Sequence, residues 1–229
     1  MALEGWRYEI KFATTESELS KATVASWVRT HPAGFRTTYP PRQVNNIYFD
    51  TRELPDLDDH LAGVPDRAKL RLRWYGTEHE SVTGRIEHKQ KRNWLGRKVA
   101  VDVKCPLDLT QMAWREILDS LAGLDLGPLA ITFRTRYRPV VINTYWREYF
   151  ASADSQVRLT MDTRLNFYSQ VRNSKPNLRW RTSSEDLTVI EVKSDADQQE
   201  RLRDVIARFP LRATAHSKYV RGVLGAYSP

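Results

Sequence analysis

The chain has 229 residues, with 36 Lys and Arg against 28 Asp and Glu, and carries a formal net charge of +8 at pH 7. Its length is sufficient to bury a hydrophobic core as one large domain or two small ones. A basic excess can serve solubility alone, but it is also typical of proteins that bind a polyanion such as nucleic acid, a nucleotide, polyphosphate or an acidic membrane. Because Cys105 is the only cysteine, an internal disulfide framework is excluded.

Three features bear on the compartment. A single cysteine favours reducing conditions. The N-terminal segment has no basic stretch followed by an apolar one, which predicts that no secretory signal is present. No run of about 18 apolar residues could cross a bilayer. We therefore expect a cytoplasmic protein and leave a membrane-bound partner open.

Charged and apolar residues alternate with a period of two through much of the chain, which predicts β-strands. In chain order the predicted strands cover residues 5–13, 44–50, 68–75, 81–91, 97–104, 131–138, 140–150, 157–168 and 186–195. Apolar residues spaced along one helical face predict helices at 19–28, 110–122 and 202–209. A short helical piece is expected within 56–66, a loop at 32–42, and a poorly patterned loop with one short strand in 171–184. With no repeat and no linker, one domain over residues 1–229 is predicted.

The alternation is clearest in residues 186–195, where Glu191 and Lys193 are interleaved with Ile190 and Val192. It recurs on at least six predicted strands, whose charged faces are mostly cationic: Lys11, Lys69, Arg71, Arg73, Lys89, Arg136, Arg147, Arg158 and Lys193. A solvated face usually mixes the two signs of charge, so these faces indicate an enclosed surface. The fold predicted is α+β, in which about eight antiparallel strands close into a β-barrel tunnel with the helices packed outside.

A tunnel lined by so many cations requires an anionic guest, because each unpaired buried ion costs several kcal/mol. The acids on the same faces are too few to neutralise them: Glu9, Glu87, Asp162 and Glu191. Linear phosphates suit Lys and Arg, which donate charge-assisted hydrogen bonds to phosphate oxygens. Carboxylates beside bound phosphates commonly hold Mg²⁺ or Mn²⁺. Asp162 and Glu148 are expected to support arginines rather than to ligate a metal.

Several short motifs, in this order, resemble the triphosphate tunnel metalloenzyme superfamily, and within it the VTC-type polyphosphate polymerase domain: Glu9-x-Lys11, Lys69-x-Arg71-x-Arg73, Glu87-x-Lys89, Tyr145-x-Arg147, Arg158, Glu191-x-Lys193 and Ser217-Lys218. The resemblance extends from Arg7 to Val223. It implies an antiparallel tunnel with a basic bore and a divalent metal, Mn²⁺ or Mg²⁺, held by acidic groups. The superfamily signature Glu-x-Glu-x-Lys has Arg7 in its first place here, which implies weaker metal binding and more phosphate contacts.

The resemblance also implies residue roles. The residues expected to grip phosphate during catalysis are Lys11, Arg71, Arg73, Lys89, Arg147, Arg158, Lys193 and Lys218. Tyr145 matches a phosphate-contacting tyrosine, and Lys69 and Arg136 are expected to assist substrate binding. Glu191 matches the metal-binding glutamate, with Glu9 and Glu87 as further candidate ligands.

The function expected from these features is metal-dependent transfer of the terminal phosphate of ATP onto a polyphosphate chain. A triphosphatase acting on inorganic triphosphate or a nucleoside triphosphate in the same tunnel remains open, as does a non-catalytic module that binds polyphosphate or RNA. Nucleic acid is the less favoured partner, because Trp74 falls on the apolar side of its strand. The histidines never stand at the spacing of metal ligands, which disfavours zinc.

Overall fold

A computed structural model describes residues 5–127, 133 and 137–227. Within these ranges the chain forms nine strands: β1 Arg7–Thr15, β2 Arg36–Asp50, β3 Asp66–Tyr75, β4 Val82–Arg92, β5 Leu95–Leu107, β6 Arg138–Ala151, β7 Val157–Ser169, β8 Ser183–Glu185 and β9 Leu187–Asp195. The helices in the same ranges are α1 Lys21–Thr30, α2 Pro55–Leu61, α3 Trp114–Ala122, α4 Gln199–Ile206 and α5 Lys218–Tyr227.

Eight of the strands form a closed ring. They lie in the order β6–β2–β3–β4–β5–β1–β9–β7, and β7 pairs back onto β6, while the short β8 is added at β7. Every neighbouring pair is antiparallel. The join between β1 and β5 is the shortest in the ring, with two residue pairs, whereas β1 and β9 pair over nine. The predicted tunnel of about eight antiparallel strands with external helices is confirmed.

Most apolar residues of the strands face outwards and are covered by helices. Leu70, Leu72 and Trp74 on β3 belong to the same buried cluster as α3. The apolar faces of α1 and α4 pack with residues of β1, β7 and β9 in a second cluster. Tyr219 and Val223 place α5 in a third cluster, on the inward side of the ring, together with Tyr48 and Tyr145. This arrangement leaves the other face of each strand to point into the ring.

Three elements show the differences from the sequence predictions that matter most. β2 begins at Arg36, within the stretch expected to be a loop, because residues 36–42 pair with the end of β6 through two register shifts. β6 runs continuously through Pro139, where two strands had been expected. α3 begins at Trp114 rather than at Thr110, because the Asp108 side chain accepts the backbone N–H of Thr110 in a tight turn. The predicted strand 131–138 lies largely outside the described residues.

Three other regions can be compared with the sequence predictions. The segment after residue 217, which the sequence left unassigned, forms the ten-residue helix α5. The expected short helical piece near residue 56 is confirmed as α2. The expected short strand in the poorly patterned segment is confirmed as β8. The helix α5 matters most for the site, because its first residue, Lys218, is buried.

Candidate active site: a basic bore

The inward faces of the ring meet in a narrow cavity, called the bore here. Its lining residues are Lys11, Tyr48, Lys69, Arg71, Arg73, Lys89, Tyr145, Arg147, Glu191, Lys193 and Lys218. The eleven residues come from six strands and one helix, and eight of their side chains are cationic. The free space between them is about 40 Å³. The side chains therefore occupy most of the bore themselves, held by contacts with one another.

One wall carries two carboxylates that share two lysines. Lys11 Nζ lies 3.2 Å from Glu9 and 3.4 Å from Glu191. Lys193 Nζ lies 2.7 Å from Glu191 and 3.6 Å from Glu9. Lys89 donates a further hydrogen bond to Glu9 at 2.6 Å. Burial raises the pKa of both carboxyls, but the surrounding cations outweigh it and hold each pKa well below its ordinary value. Both groups are therefore anionic at neutral pH.

The opposite wall is organised by Glu87. Arg71 donates to its Oε2 from Nε at 2.8 Å and from Nη2 at 2.6 Å, and Lys98 donates to its Oε1 at 2.7 Å. Arg73 Nη1 lies 3.9 Å away. Burial raises the pKa of Glu87, but the neighbouring arginines lower it by more, so the carboxylate is ionised. This acid positions two guanidinium groups in the bore.

A fourth carboxylate, Asp162, is fully buried and fixes two more cations. Arg147 donates to its two oxygens at 2.6 and 2.7 Å, and Lys218 donates to Oδ2 at 2.6 Å. Burial raises the pKa of Asp162, whereas Arg147 and Lys218 lower it, with a net shift below the ordinary value. Asp162 therefore supports an arginine, as expected from the sequence. Glu148 instead pairs with Lys21 at 3.0 Å.

Lys69 differs from the other bore cations. Within the described part of the chain no carboxylate lies within 4 Å of its Nζ, which contacts the Ser217 hydroxyl at 3.3 Å. Burial is the main cause of a pKa well below the ordinary lysine value, and the nearby Lys11 and Lys89 add to the effect. Lys69 is consequently the cation in the bore that gains most from an added anion.

The structure brings together most of the residues predicted for the site. Of the predicted phosphate-gripping residues, seven line the bore, and so do the predicted Lys69 and Tyr145. Arg158 does not join them: its side chain is 46% exposed and contacts Asp195 at 3.4 Å at the end of its strand. Arg7 also pairs with Asp195, at 2.9 Å, outside the bore. Arg136 lies outside the described residues.

Several polar residues of the site were not predicted. Arg73 donates from Nε to Asn46 Oδ1 at 2.9 Å, and Asn46 in turn donates to Asn143. Arg71 donates to the Tyr48 hydroxyl at 3.2 Å. Asn46 and Tyr48 directly face Arg73 and Arg71 across the β2–β3 pair. The available signal was a pair of amides, Asn46 and Asn143, next to the β-branched apolar residues Ile47 and Ile142 of their strands.

The residues present fit a divalent cation only in part. Among the described residues, no three His, Cys, Asp or Glu side chains form a group that could hold a metal. Glu9 and Glu191 share Lys11 and Lys193, so their oxygens converge on positions that cations already occupy, while Glu87 belongs to the opposite wall. Two carboxylates suit Mg²⁺ or Mn²⁺, provided that phosphate and water supply the remaining oxygens. Glu87 does not fit as a third ligand.

A closed antiparallel ring around a bore of Lys and Arg defines the class of the protein: it has the triphosphate tunnel fold. The family model of the VTC domain matches residues 6–227. The chain therefore belongs to the VTC domain family.

Solved structures share the fold at low sequence identity. A candidate adenylate cyclase from Vibrio parahaemolyticus superposes with a TM-score of 0.53 and 14% identity, covering 96% of this chain and 98% of that chain. A candidate adenylyl cyclase from Hippeastrum, described as having a dominant triphosphatase activity, gives 0.47 and 12%, with 98% and 97% covered. No curated protein sequence matches the chain. None of the helices in the described ranges has the length and apolar character needed to cross a membrane.

Proposed function

We propose that the protein transfers the terminal phosphate of ATP onto a polyphosphate chain inside the bore. The observation that carries the proposal is the charge imbalance there. Eight cationic side chains line the bore, and among the described residues four acids lie within 4 Å of them: Glu9, Glu87, Asp162 and Glu191. A polyphosphate segment would supply the missing negative charge. Membership of the VTC domain family supports this choice of substrate.

The walls of the bore suit different parts of this task. Arg71 and Arg73 are held side by side by Glu87 and by the amide of Asn46, with planar donors that match phosphate oxygens. Together with Lys11 they would grip the phosphoryl group that moves. The remaining cations would hold the other phosphates: Lys69, Lys89, Arg147, Lys193 and Lys218. Arg158, at the exposed end, would meet phosphates only outside the bore.

The reaction needs little covalent work from the protein. A terminal oxygen of the polyphosphate, already anionic, attacks the γ-phosphorus of ATP; a new P–O bond forms, the bond to the β-phosphate oxygen breaks, and ADP leaves. Positioning and neutralisation of charge account for most of the rate enhancement in phosphoryl transfer. No general base is required, because the nucleophile carries no proton that must be removed.

Glu9 and Glu191 are the residues that would hold a divalent cation. Such a cation, Mg²⁺ or Mn²⁺, would neutralise charge on the phosphates when bound. Lys11 and Lys193 contact these carboxylates in the structure. With a cation bound to the carboxylates, the two lysines could bind the phosphates of the substrate instead. In this arrangement Glu87 keeps its role of orienting Arg71.

Incubation of the purified protein with ATP and Mn²⁺ tests the proposal directly. Long polyphosphate chains with release of ADP are the expected products. Free phosphate as the sole product would replace the proposal with a triphosphatase, which needs only that water is admitted in place of the acceptor. Lys11→Ala and Arg73→Ala should abolish turnover while the circular dichroism spectrum and the melting temperature stay close to wild type. Full activity in both variants would contradict the assigned site.

A non-catalytic RNA-binding module is less well supported. The aromatic residue interleaved with the arginines of β3, Trp74, is 2% exposed and lies in the core beneath α3. It cannot stack on a base without leaving the core. Delivery of a product to a membrane-bound partner stays a prediction.

A further inference from the structure

Three tyrosines and an arginine form a cluster beside the bore, called the mouth cluster here: Tyr39, Arg42, Tyr75 and Tyr149. The Arg42 guanidinium lies 3.8 Å from the Tyr75 ring centre and 5.1 Å from that of Tyr149. Arg42 Nε also donates a hydrogen bond to the Tyr149 hydroxyl at 3.1 Å. Tyr39 meets Tyr149 edge to face, with ring centres 5.7 Å apart. The cluster is thus an ordered stack on three adjacent strands, β3, β2 and β6.

The mouth cluster continues the inward rows of the bore by one step. Tyr75 lies two residues beyond Arg73 on β3, and Tyr149 lies two residues beyond Arg147 on β6, so each shares the inward face of its strand. Arg42 directly faces Arg147 across the β2–β6 pair. The bore therefore opens towards this cluster.

Exposure identifies the cluster as a rim rather than as part of the core. Tyr39 is 60% exposed and Tyr75 is 46% exposed, whereas Tyr145, one step deeper on β6, is 2% exposed. Among the described residues, no Asp or Glu lies within 4 Å of the Arg42 guanidinium, so its charge is available to an anion. Tyr39 is also near Arg158: burial and Arg7 lower the pKa of Arg158, whereas Asp195 and Tyr39 oppose that shift.

We propose that the mouth cluster binds the nucleoside part of the phosphate donor, with the base stacked on Tyr39 and the α-phosphate near Arg42. This inference rests on the proposed function, and it specifies the donor as a nucleoside triphosphate rather than inorganic triphosphate. Continuity with the bore supports it, since a nucleotide whose β- and γ-phosphates lie among the bore cations has its base on the solvent side. Aromatic faces bind every base, because each base presents a π-face. Purines, with the larger face, should bind better than pyrimidines.

Equilibrium binding measurements distinguish recognition of the base from recognition of the phosphates. Isothermal titration is performed without divalent metal, so that turnover does not interfere, using the β,γ-imido analogue of ATP and inorganic tripolyphosphate as probes. Tyr39→Ala should weaken binding of the ATP analogue by about tenfold and leave tripolyphosphate unchanged, because loss of one stacking platform affects the base alone. Tyr39→Phe keeps the ring and should bind both probes as wild type does.

Trp180→Ala is the matched control, since Trp180 is an exposed aromatic residue, 78% accessible, outside the bore and the mouth cluster. It should leave both affinities unchanged. If Tyr39→Ala binds the ATP analogue as tightly as wild type, the mouth cluster does not hold the base and the inference is overturned. Equal weakening of both probes would also overturn it and would assign Tyr39 to phosphate binding or to structure. If wild-type protein binds neither probe, the proposed function itself fails.

Discussion

Lys69 is a residue through which phosphate binding in the bore can depend on pH. Its ammonium is buried beside other cations, and its pKa in the free protein lies well below that of an ordinary lysine. A bound phosphate would favour the charged form and raise that pKa, so binding would be accompanied by proton uptake. The affinity for phosphate should therefore be highest at a pH below the pKa of Lys69 in the free protein. It should fall as the pH rises from there towards the pKa of Lys69 in the phosphate complex.

This linkage can be measured by titrating tripolyphosphate calorimetrically in two buffers with different ionisation enthalpies. Wild-type protein should take up part of a proton at alkaline pH. Lys69→Arg should take up less and keep more affinity there, because arginine stays charged. Lys175→Arg, at an exposed lysine outside the bore, should behave as wild type. A Lys69→Arg variant with unchanged proton uptake would show that Lys69 is not the group that titrates.

Prediction at the level of residues succeeded where the alternation along a strand determines the direction of a side chain. The alternation around Arg71, Arg73 and Glu191 correctly predicted which side chains point inwards. It could not predict depth along the bore: Arg158 shares the inward row of β7 but stands at its exposed end. Depth depends on strand register and stagger in the closed ring, which are properties of several strands together.

At the scale of elements, α5 packs against inward-facing residues of the ring, among them Tyr48 and Tyr145 of the bore. Its Gly222 lies so close to β6 and β7 that a Cβ there would stand 2.7 Å from the Phe167 ring and 2.9 Å from Val141. Lys218, at the start of the same helix, reaches Asp162 and approaches Glu191. The position of a bore cation therefore depends on how closely α5 packs against the inward faces of β6 and β7.

Gly222→Ala should destabilise the protein by about 1–3 kcal/mol, the usual cost of overpacking a core, and should lower phosphate affinity as Lys218 moves. Gly225→Ala in the same helix is the control. Its added Cβ would meet the side-chain hydroxyl of Ser183 at 3.3 Å, which can rotate away, and alanine favours the helix by about 0.5–1 kcal/mol. Thermal unfolding and tripolyphosphate titration measure both effects. Equal stability of the two variants would contradict the close packing at Gly222.

Element boundaries were predictable only where local signals agree with the fold. The amphipathic pattern correctly predicted α4, and Gly123 ends α3 as expected. The extension of β2 to Arg36 could not be predicted, because its prolines and exposed polar residues are typical of a loop. The extension is stabilised by pairing with β6, which is distant in sequence. Long-range pairing of this kind overrides local propensity.

At the scale of the whole molecule, the ring has one weak join. The β1–β5 contact consists of two residue pairs, Arg7 with Gly96 and Tyr8 with Leu95. The hydrogen bond from Lys89 to Glu9, at 2.6 Å, connects β4 with β1 across this join. Much of the cohesion at this position therefore comes from side chains inside the bore.

Glu9→Gln should loosen this join selectively, because the neutral amide loses its charge-assisted bond to Lys89. Amide hydrogen exchange should accelerate at the ends of β1 and β5 more than in β6 and β7, where ten residue pairs are recorded. Bound tripolyphosphate should restore protection by bridging the freed cations. Uniform acceleration over all strands would indicate global destabilisation instead.

The last strand of the ring ends at Asp195, but the set of bore cations is complete only at Lys218. A chain emerging from the ribosome would therefore have every strand available before it had the last of its bore cations. Cleavage anywhere between these two residues would leave a sheet able to pair, with Asp162 retaining Arg147 alone as its close cationic partner. The strands of the ring and the complete set of bore cations therefore become available at different stages of synthesis. The set of cations is complete only when α5 has docked.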